Sequence, residues 1–221
     1  MKNFQATYST LHNDGLDLVY RDEFLIVVNK PAGLLAVPGR GADKQDCLAS
    51  RVQAEFPDAL VVHRLDMATS GLLLFARGAA MQRHLSHLFR ERLVAKRYVA
   101  VVSGRLEPLA GEINLPLNRD WPNRPRQKVD PVSGKPSLTR YCLLAHDAGT
   151  DTTRVELEPV TGRTHQLRVH MAAIGHPILG DALYGENREG GAERLLLHAC
   201  ALRFVHPLSA ESLSFASEPP F

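Results

Sequence analysis

Three ionisable residues, His63, Arg64 and Asp66, lie within four positions of one another in the sequence. The segments on either side, residues 61–62 and 71–76, are short and aliphatic, which is typical of buried strands. A carboxylate at the edge of such a core can act as a nucleophile or as a general acid or base. Taken alone, the residue types favour a plainer role, in which Asp66 caps a turn with the small polar residues that follow it.

Three further positions could carry chemistry. Tyr98 begins an apolar strand directly after two basic residues, where a tyrosine usually packs in the core with its hydroxyl at the rim. Arg168 lies about 100° off the apolar face of a predicted helix, where its guanidinium could bind a carboxylate or extend into solvent. His198 lies in an apolar strand, which is more typical of a hydrogen-bonded core histidine than of a ligand.

The histidines and cysteines lack the spacing of a metal site. His165 and His170 are five residues apart on the predicted helix, whereas zinc-binding helices place two histidines four apart. The three cysteines are far apart and contain no CxxC pair, which argues against structural zinc and against a disulfide framework. We therefore predict no metal.

The elements that must position these residues are short strands and three helices. Periodicity predicts helices over residues 45–56, 79–90 and 164–175, the last with Thr164 as N-cap and Gly175 at its C-terminal end. The predicted strands cover residues 18–31 (as a strand–turn–strand), 97–104, 152–160, 194–207 and 211–217. The segment 117–136 contains four prolines and no periodicity, which predicts an exposed basic loop.

This pattern predicts one domain of the α+β class. Strands outnumber helices without regular βα alternation, which favours a mixed, mainly antiparallel sheet flanked by helices. We predict a flexible N-terminal segment over residues 1–15 and a catalytic domain over residues 16–221.

Positive charge is concentrated in the middle of the chain, although the net charge is only +2. Residues 77–97 carry six Lys or Arg and one acidic residue. Residues 119–140 carry six Lys or Arg and two acidic residues. Such clusters suggest a polyanion as partner, because Lys and Arg gain free energy by displacing counterions from phosphates. Solvated helix faces would give the same counts.

Composition places the chain among ordinary globular proteins, with 44% hydrophobic and 23% charged residues in 221. No apolar run approaches the roughly 18–20 residues that cross a bilayer, and the N-terminus lacks the pattern of a signal peptide. We expect a cytoplasmic monomer without membrane contact.

The sequence resembles the RluA family of pseudouridine synthases in four separated segments, in order and over nearly the whole chain. These are HRLDMATSGLLLF from residue 63, KRYVAVVSG from 96, GRTHQLRVHMAAIGHPILGDALYG from 162 and RLLLHACALRFVHP from 194. The resemblance implies the pseudouridine synthase fold and isomerisation of uridine in RNA without cofactor or metal. Because the strand pattern of the family begins by about Leu18, we expect the chain to lack the small basic S4 RNA-binding domain that many relatives carry.

The resemblance also implies roles for individual residues. It makes Asp66 the nucleophile, Arg168 the cation that keeps Asp66 ionised, Tyr98 the active-site tyrosine and Leu197 an apolar residue of the pocket. Arg64 would stack in the space that the flipped uridine leaves, since a flat guanidinium can stack on bases.

The segments DWPNRPRQKV from residue 120 and VVNKPAGLLAVPGR from 27 resemble the family members that modify both ribosomal and transfer RNA. The expected partners are therefore a hairpin of 23S ribosomal RNA and the anticodon stem-loop of transfer RNA. Arg124 and Arg126 in the basic loop, together with His63, are expected to contact this RNA.

Two alternatives differ in class. One is an RNA-binding module that has lost catalysis, which the presence of Asp66, Tyr98 and Arg168 argues against. The other is a hydrolase with an aspartate nucleophile, such as a glycosidase. That chemistry usually needs a second carboxylate, and we predict no acidic residue besides Asp66 in the site that the four segments form.

Overall fold

The computed structural model describes residues 11–13, 15–41, 44–185 and 192–221. The strands are β1 (Leu11–Asn13), β2 (Leu16–Arg21), β3 (Leu25–Lys30), β4 (Ala59–Val61), β5 (Ser70–Arg77), β6 (Ala95–Ser103), β7 (Ala110–Asn114), β8 (Leu117–Arg119), β9 (Gln127–Val129), β10 (Leu138–Asp147), β11 (Thr152–Pro159), β12 (Leu197–Val205) and β13 (Ser212–Ala216). The helices are α1 (Leu48–Glu55), α2 (Gly78–Arg90) and α3 (Gln166–Ala173).

Most strands belong to one sheet, in the order β1-β2-β3-β5-β12-β6-β11-β10-β7, with β4 also on β5 and β13 also on β12. Among the described strands, the pairing of β5 with β12 at the centre is parallel and every other pairing in this sheet is antiparallel. The predicted α+β domain with a mixed, mainly antiparallel sheet is confirmed.

Gly71 allows the two halves of the sheet to join at this parallel pairing. It lies opposite Ala199 of β12 and has a φ of +113°. A Cβ added to Gly71 would lie 2.4 Å from the backbone oxygen of Ala199, so only glycine permits this approach. The glycine therefore sets how the half that carries Asp66 meets the half that carries Tyr98.

Three hydrophobic clusters hold the helices against the sheet. Alternate residues of β3 and β5 face opposite clusters, so α1 packs through Val52 on one face and α2 packs through Met81 and Leu85 on the other. The third helix, α3, packs through Leu167 and Met171 against the half of the sheet that contains β6 and β11. None of these described helices has the length and apolar character needed to span a bilayer.

The predicted helices are present, with one correction at the start of α3. The N-cap is His165 rather than Thr164, and no side chain caps this end. At the other end Gly175 has a φ of +87°, and its N–H donates to Ala172 C=O at 3.0 Å. The next N–H donates to Met171 C=O at 2.9 Å, so Gly175 closes the helix in a Schellman motif.

The segment 117–136 is not the irregular loop that its prolines predict. Residues 117–119 and 127–129 pair as β8 and β9, a separate antiparallel hairpin with an exposed tip. Three-residue strands are too short for a detectable alternation of apolar residues, which explains why the sequence pattern missed them.

The predicted flexible segment 1–15 falls mostly outside the described residues. Within it, residues 11–13 form β1, which pairs with β2. Residues 1–10 and 14 lie outside the described part of the chain.

Candidate active site

Asp66 lies in an irregular connection, residues 62–69, between β4 and β5. Its C=O accepts a hydrogen bond from Thr69 N–H at 3.1 Å, which closes a tight turn. Its side chain is 27% exposed, and within the described chain the carboxylate oxygens meet α3 and the residue before it rather than the amides of the turn. The carboxylate is therefore presented to the neighbouring half of the sheet and is not used as a cap.

Lys30, at the end of β3, holds this turn in place. Its side chain is buried, and Nζ donates to the carbonyls of Pro31 (2.7 Å), Leu34 (2.8 Å) and Met67 (3.0 Å). Burial, partly opposed by the charge of Asp66, lowers the pKa of Lys30 to about 8. Since an ammonium has three donors, Lys30 is fully satisfied and cross-links β3 to the residue that follows Asp66.

Arg168, in the first turn of α3, joins two carboxylates. Its Nη1 lies 3.2 Å from Asp66 Oδ2, so the predicted contact is present. Its Nε and Nη2 each lie 2.7 Å from an oxygen of Asp181, in a bidentate pair. The Arg168 side chain is 6% exposed and that of Asp181 is fully buried, so the closer and drier pairing is with Asp181.

Asp181 was not among the predicted site residues, although it lies within the third of the family-like segments. It also accepts hydrogen bonds from the amides of Leu183 and Tyr184. Burial alone would raise the pKa of Asp181, but Arg168 and these amides outweigh burial and lower it. The prediction of a single carboxylate in the motifs is wrong, but Asp181 is committed to Arg168 and to backbone amides and is not a free acid or base for a glycosidase.

A buried polar network around Gln166 fixes the start of α3. Its Oε1 accepts from Thr161 Oγ1 at 2.6 Å and from Arg163 N–H at 3.0 Å. Its Nε2 donates to Leu138 C=O at 2.9 Å and to Thr139 Oγ1 at 3.0 Å. Because every polar group of the amide is engaged, the helix that carries Arg168 has little freedom to shift.

His165, the N-cap of α3, connects Asp66 to the hairpin. Its φ of 53° lies in the left-handed region, which costs a non-glycine residue about 1 kcal/mol or more and often marks a functional site. Its Nε2 lies 3.9 Å from Asp66 Oδ1, and its Nδ1 lies 2.7 Å from the hydroxyl of Tyr184. That hydroxyl accepts from Gln127 N–H in the hairpin at 2.7 Å. Neither His165 nor Tyr184 was a predicted site residue, and only their presence in the third segment could have indicated them.

Tyr98 lines the same cleft from β6 and packs against two of the hydrophobic clusters. Burial, followed by the charge of Asp66, raises the pKa of Tyr98 above its ordinary value, so the phenol is neutral at physiological pH. Leu197 is buried in a hydrophobic cluster that also contains Leu167. Tyr98 packs against this cluster. Leu197 thus lies behind the wall of the cleft.

The predicted basic and aromatic residues at the mouth have different surroundings. His63 stacks on Phe89 with ring centroids 4.4 Å apart, and its Nε2 accepts from Leu74 N–H at 2.9 Å. Burial, followed by the charge of Lys96, lowers the pKa of His63 to about 3, so this ring is neutral. Arg64 is exposed and has no hydrogen bond or ion pair to any described residue.

The cleft has a volume of about 540 Å³, and the residues above that line it include His63, Arg64, Asp66, Tyr98, His165, Gln166 and Arg168. Among the described lining residues, Asp66 is the one carboxylate, whereas the basic side chains are Arg64, Arg90, Arg92, Lys96, Arg163 and Arg168. A cleft whose charged lining is mainly cationic suits a substrate that is itself a polyanion.

Arg124 and Arg126 lie on the exposed tip of the hairpin beside the cleft. The guanidinium of Arg124 lies 3.8 Å from the ring centroid of Trp121, whose side chain is also exposed. The guanidinium of Arg126 lies 5.6 Å from the ring of Tyr184, the residue that joins the hairpin to His165. The hairpin therefore offers flat cationic and aromatic surfaces, of the kind that bind nucleic acids.

His198 is the core histidine that its strand predicts. It is buried, and its two ring nitrogens lie 2.9 Å from Ser70 Oγ and 3.0 Å from Ser217 Oγ. Burial lowers the pKa of His198 to about 4. Within the described ranges, no group of three or more His, Cys, Asp or Glu side chains is arranged to hold a metal ion.

Comparison with known proteins agrees with this geometry. Residues 24–173 match the family model described as RNA pseudouridylate synthase. The chain is 47% identical over 215 residues to the dual-specificity RNA pseudouridine synthase RluA of Escherichia coli K12, covering 97% of this chain and 98% of the relative. It is 50% identical over 207 residues to the protein of the same name from Pasteurella multocida, covering 93% and 94%. The solved structure of human RNA pseudouridylate synthase domain containing 1 is similar with a TM-score of 0.76 and 35% identity, covering 93% of this chain and 84% of that one.

Proposed function

The chain belongs to the RNA pseudouridylate synthase family and is an RNA pseudouridine synthase; we propose that it modifies uridines in a hairpin loop of 23S ribosomal RNA and in the anticodon stem-loop of transfer RNA. The observation that carries the proposal is Asp66, held by Arg168 on the floor of a cationic cleft. The likeness over nearly the whole chain to relatives named dual-specificity synthases supports the two substrates. Both classes of RNA are found in the cytoplasm, where we propose that the enzyme acts.

The reaction breaks the bond between N1 of uracil and C1′ of ribose and forms a bond between C5 and C1′. The hydrogen on C5 leaves as a proton, and N1 gains a proton, so no oxidant or second substrate is required. We propose Asp66 as the nucleophile. An aspartate there can attack C1′, attack the uracil ring or assist elimination to a glycal, and each route requires an ionised carboxylate.

Arg168 supplies the fixed positive charge beside that carboxylate. Its orientation comes from Asp181, which occupies one edge of the guanidinium and leaves Nη1 to face Asp66. Tyr98, as a neutral phenol on the same cleft wall, is proposed to stack on the uracil and to assist proton transfer. Leu197, packed behind this wall, is proposed to keep the base pocket apolar.

Arg64 is proposed to stabilise the flipped state of the RNA. A uridine stacked in a hairpin loop must leave the stack to reach Asp66, which costs a few kcal/mol. The guanidinium of Arg64 is exposed, has no partner among the described residues and lies two residues from the proposed nucleophile, so it can fill the vacated position. Arg124 and Arg126 would bind the RNA backbone, and His63, being neutral and stacked on Phe89, would contribute shape rather than charge.

The proposal is tested with two minimal hairpins, one from 23S ribosomal RNA and one anticodon stem-loop, each labelled with 5-³H-uridine. Release of tritium reports loss of the C5 hydrogen, and carbodiimide adducts with primer extension locate the pseudouridine. We expect both free hairpins to be modified. Modification of one alone would overturn dual specificity, and modification of neither, with activity on a larger RNA, would overturn recognition of hairpin loops.

A further inference from the structure

Lys96 is a cation of the cleft to which the described residues provide no partner. It lies two residues before Tyr98 on β6, so both side chains leave the same face of the strand, and both line the cleft. Arg97, between them, points to the other face and pairs with Glu156. Within the described chain, Lys96 has no hydrogen bond and no ion pair.

The surroundings of Lys96 make this lack of a partner costly. The side chain is half-buried, and burial followed by the charge of Arg92 lowers its pKa. Lys30, the other lysine with a lowered pKa, is satisfied by three carbonyls, whereas Lys96 has none. A partly desolvated ammonium beside a second cation is unfavourable unless an anion joins them.

The space next to the ammonium is open to a ligand. Gly162, which also lines the cleft, has no side chain to cover the ammonium, and a Cβ added there would lie in ordinary contact with Lys96 Nζ, at 3.8 Å. Arg92, also at the mouth, follows the end of α2 with a left-handed φ of 61°. Its side chain has no partner among the described residues. Lys96 and Arg92 are therefore two cations of the cleft lining that have no partner in the described part of the chain.

We propose that Lys96, together with Arg92, binds a phosphodiester that flanks the flipped uridine. Residues two apart on a strand are about 7 Å apart, so Tyr98 can hold the base while Lys96 reaches the backbone of the same nucleotide. Extrusion of one nucleotide brings its flanking phosphates to the mouth of the pocket, and a compact ammonium is a strong partner for such an anion. The inference rests on the proposed function and adds to it a site for one particular phosphate.

The test combines a protein variant with a change in the RNA. Lys96→Gln removes the ammonium, and a methylphosphonate at either phosphate flanking the target uridine removes the negative charge. Arg97→Gln is the matched control, because it deletes the adjacent charge on the opposite face of β6. Turnover is measured as single-turnover tritium release on the native and on each modified hairpin.

We expect Lys96→Gln and one of the two methylphosphonates each to slow wild-type turnover by about tenfold or more. Combined, they should slow it no further, whereas Arg97→Gln should stay sensitive to the methylphosphonate. Because Lys96 makes no hydrogen bond or ion pair with any described residue, Lys96→Gln should unfold at the same temperature as wild type or higher.

If the slowing caused by Lys96→Gln and the slowing caused by the methylphosphonate multiplied when combined, Lys96 would contact another group, such as a uracil carbonyl, and the inference would be overturned. Full activity of Lys96→Gln would overturn it as well. Those outcomes leave the proposed function intact. A wild-type protein that modifies neither native hairpin would instead overturn the proposed substrates, and the phosphate site with them.

Discussion

The cations that position Asp66 differ from two cations at the mouth of the cleft in whether they have partners within the protein. Arg168, on the floor, pairs with two carboxylates, and Lys30, which lies outside the cleft lining and anchors the turn that follows Asp66, is satisfied by three carbonyls. At the mouth, Arg64 and Lys96 have no hydrogen bond or ion pair to any described residue. Cations that position catalytic groups must be rigid before substrate arrives, whereas cations that bind RNA must be free to exchange water for phosphate.

Asp66→Asn tests the floor most directly and should have the largest effect. The amide is nearly the same size as the carboxylate, so folding and RNA binding should be retained. Loss of a nucleophile raises the barrier by several kcal/mol, which slows tritium release by about 10³-fold or more. Activity within tenfold of wild type, in a variant with a normal unfolding curve, would remove the assignment of Asp66.

Arg168→Met should nearly abolish turnover and also destabilise the protein. The variant leaves the buried carboxylate of Asp181 without its cationic partner, and breaking such a buried pair lowers the free energy of unfolding by about 3–5 kcal/mol. Urea unfolding measures the loss of stability, and tritium release measures the activity. Arg168→Lys should recover activity only in part, because a point charge cannot reproduce the bidentate pair. A fully active and stable Arg168→Met would contradict the whole description of the floor.

Variants at the mouth should change RNA binding or turnover without changing the stability of the fold. Arg64→Ala should slow turnover by roughly 10–100-fold, which is part of the cost of flipping, and should weaken binding much less. The loss should shrink for an RNA whose target uridine is already unstacked.

Arg124→Glu and Arg126→Glu on the hairpin should instead weaken binding and reduce its salt dependence by roughly one phosphate each. Titration of RNA binding at several salt concentrations, alongside single-turnover rates, separates the two classes. Equal effects from Arg64 and from the hairpin would make Arg64 an ordinary phosphate contact.

The pH dependence of stability tests Lys30 and should show the smallest effect. Its pKa is about 8 in the folded protein against 10.5 for an ordinary lysine, because of burial. Above pH 8 the folded chain releases a proton that the unfolded chain still holds, so this residue makes the protein more stable as pH rises. We expect a contribution of roughly 1 kcal/mol between pH 8 and pH 9, measured by urea unfolding relative to Lys30→Met. If the free energy of unfolding changed with pH to the same extent in wild type and in Lys30→Met, the pKa of Lys30 would not be lowered in the folded protein.

Sequence pattern was sufficient for the fold class. Residue types alone favoured plain structural roles for Asp66 and Tyr98 and left the role of Arg168 open. The resemblance to the family selected these three residues, and the structure brings them to one cleft. The helices could be predicted because their apolar residues recur at helical spacing, which depends only on nearby positions.

Other features required the tertiary structure. The pairing of Arg168 with Asp181 and the link from Gln127 through Tyr184 to His165 depend on where separate loops meet, and no local periodicity encodes this. The hairpin was missed because its strands have three residues each.

The difference between Lys30 and Lys96 was also decided by tertiary structure alone. In the sequence each is a basic residue at one end of an apolar strand, and nothing nearby distinguishes them. In the folded chain the loop after β3 and the turn beyond Asp66 place three carbonyls around Lys30, while Gly162 leaves open space beside Lys96. Sequence determined which charges this protein carries, but whether each charge is satisfied depends on atoms brought from distant positions, because Coulomb and hydrogen-bond energies follow distance in space.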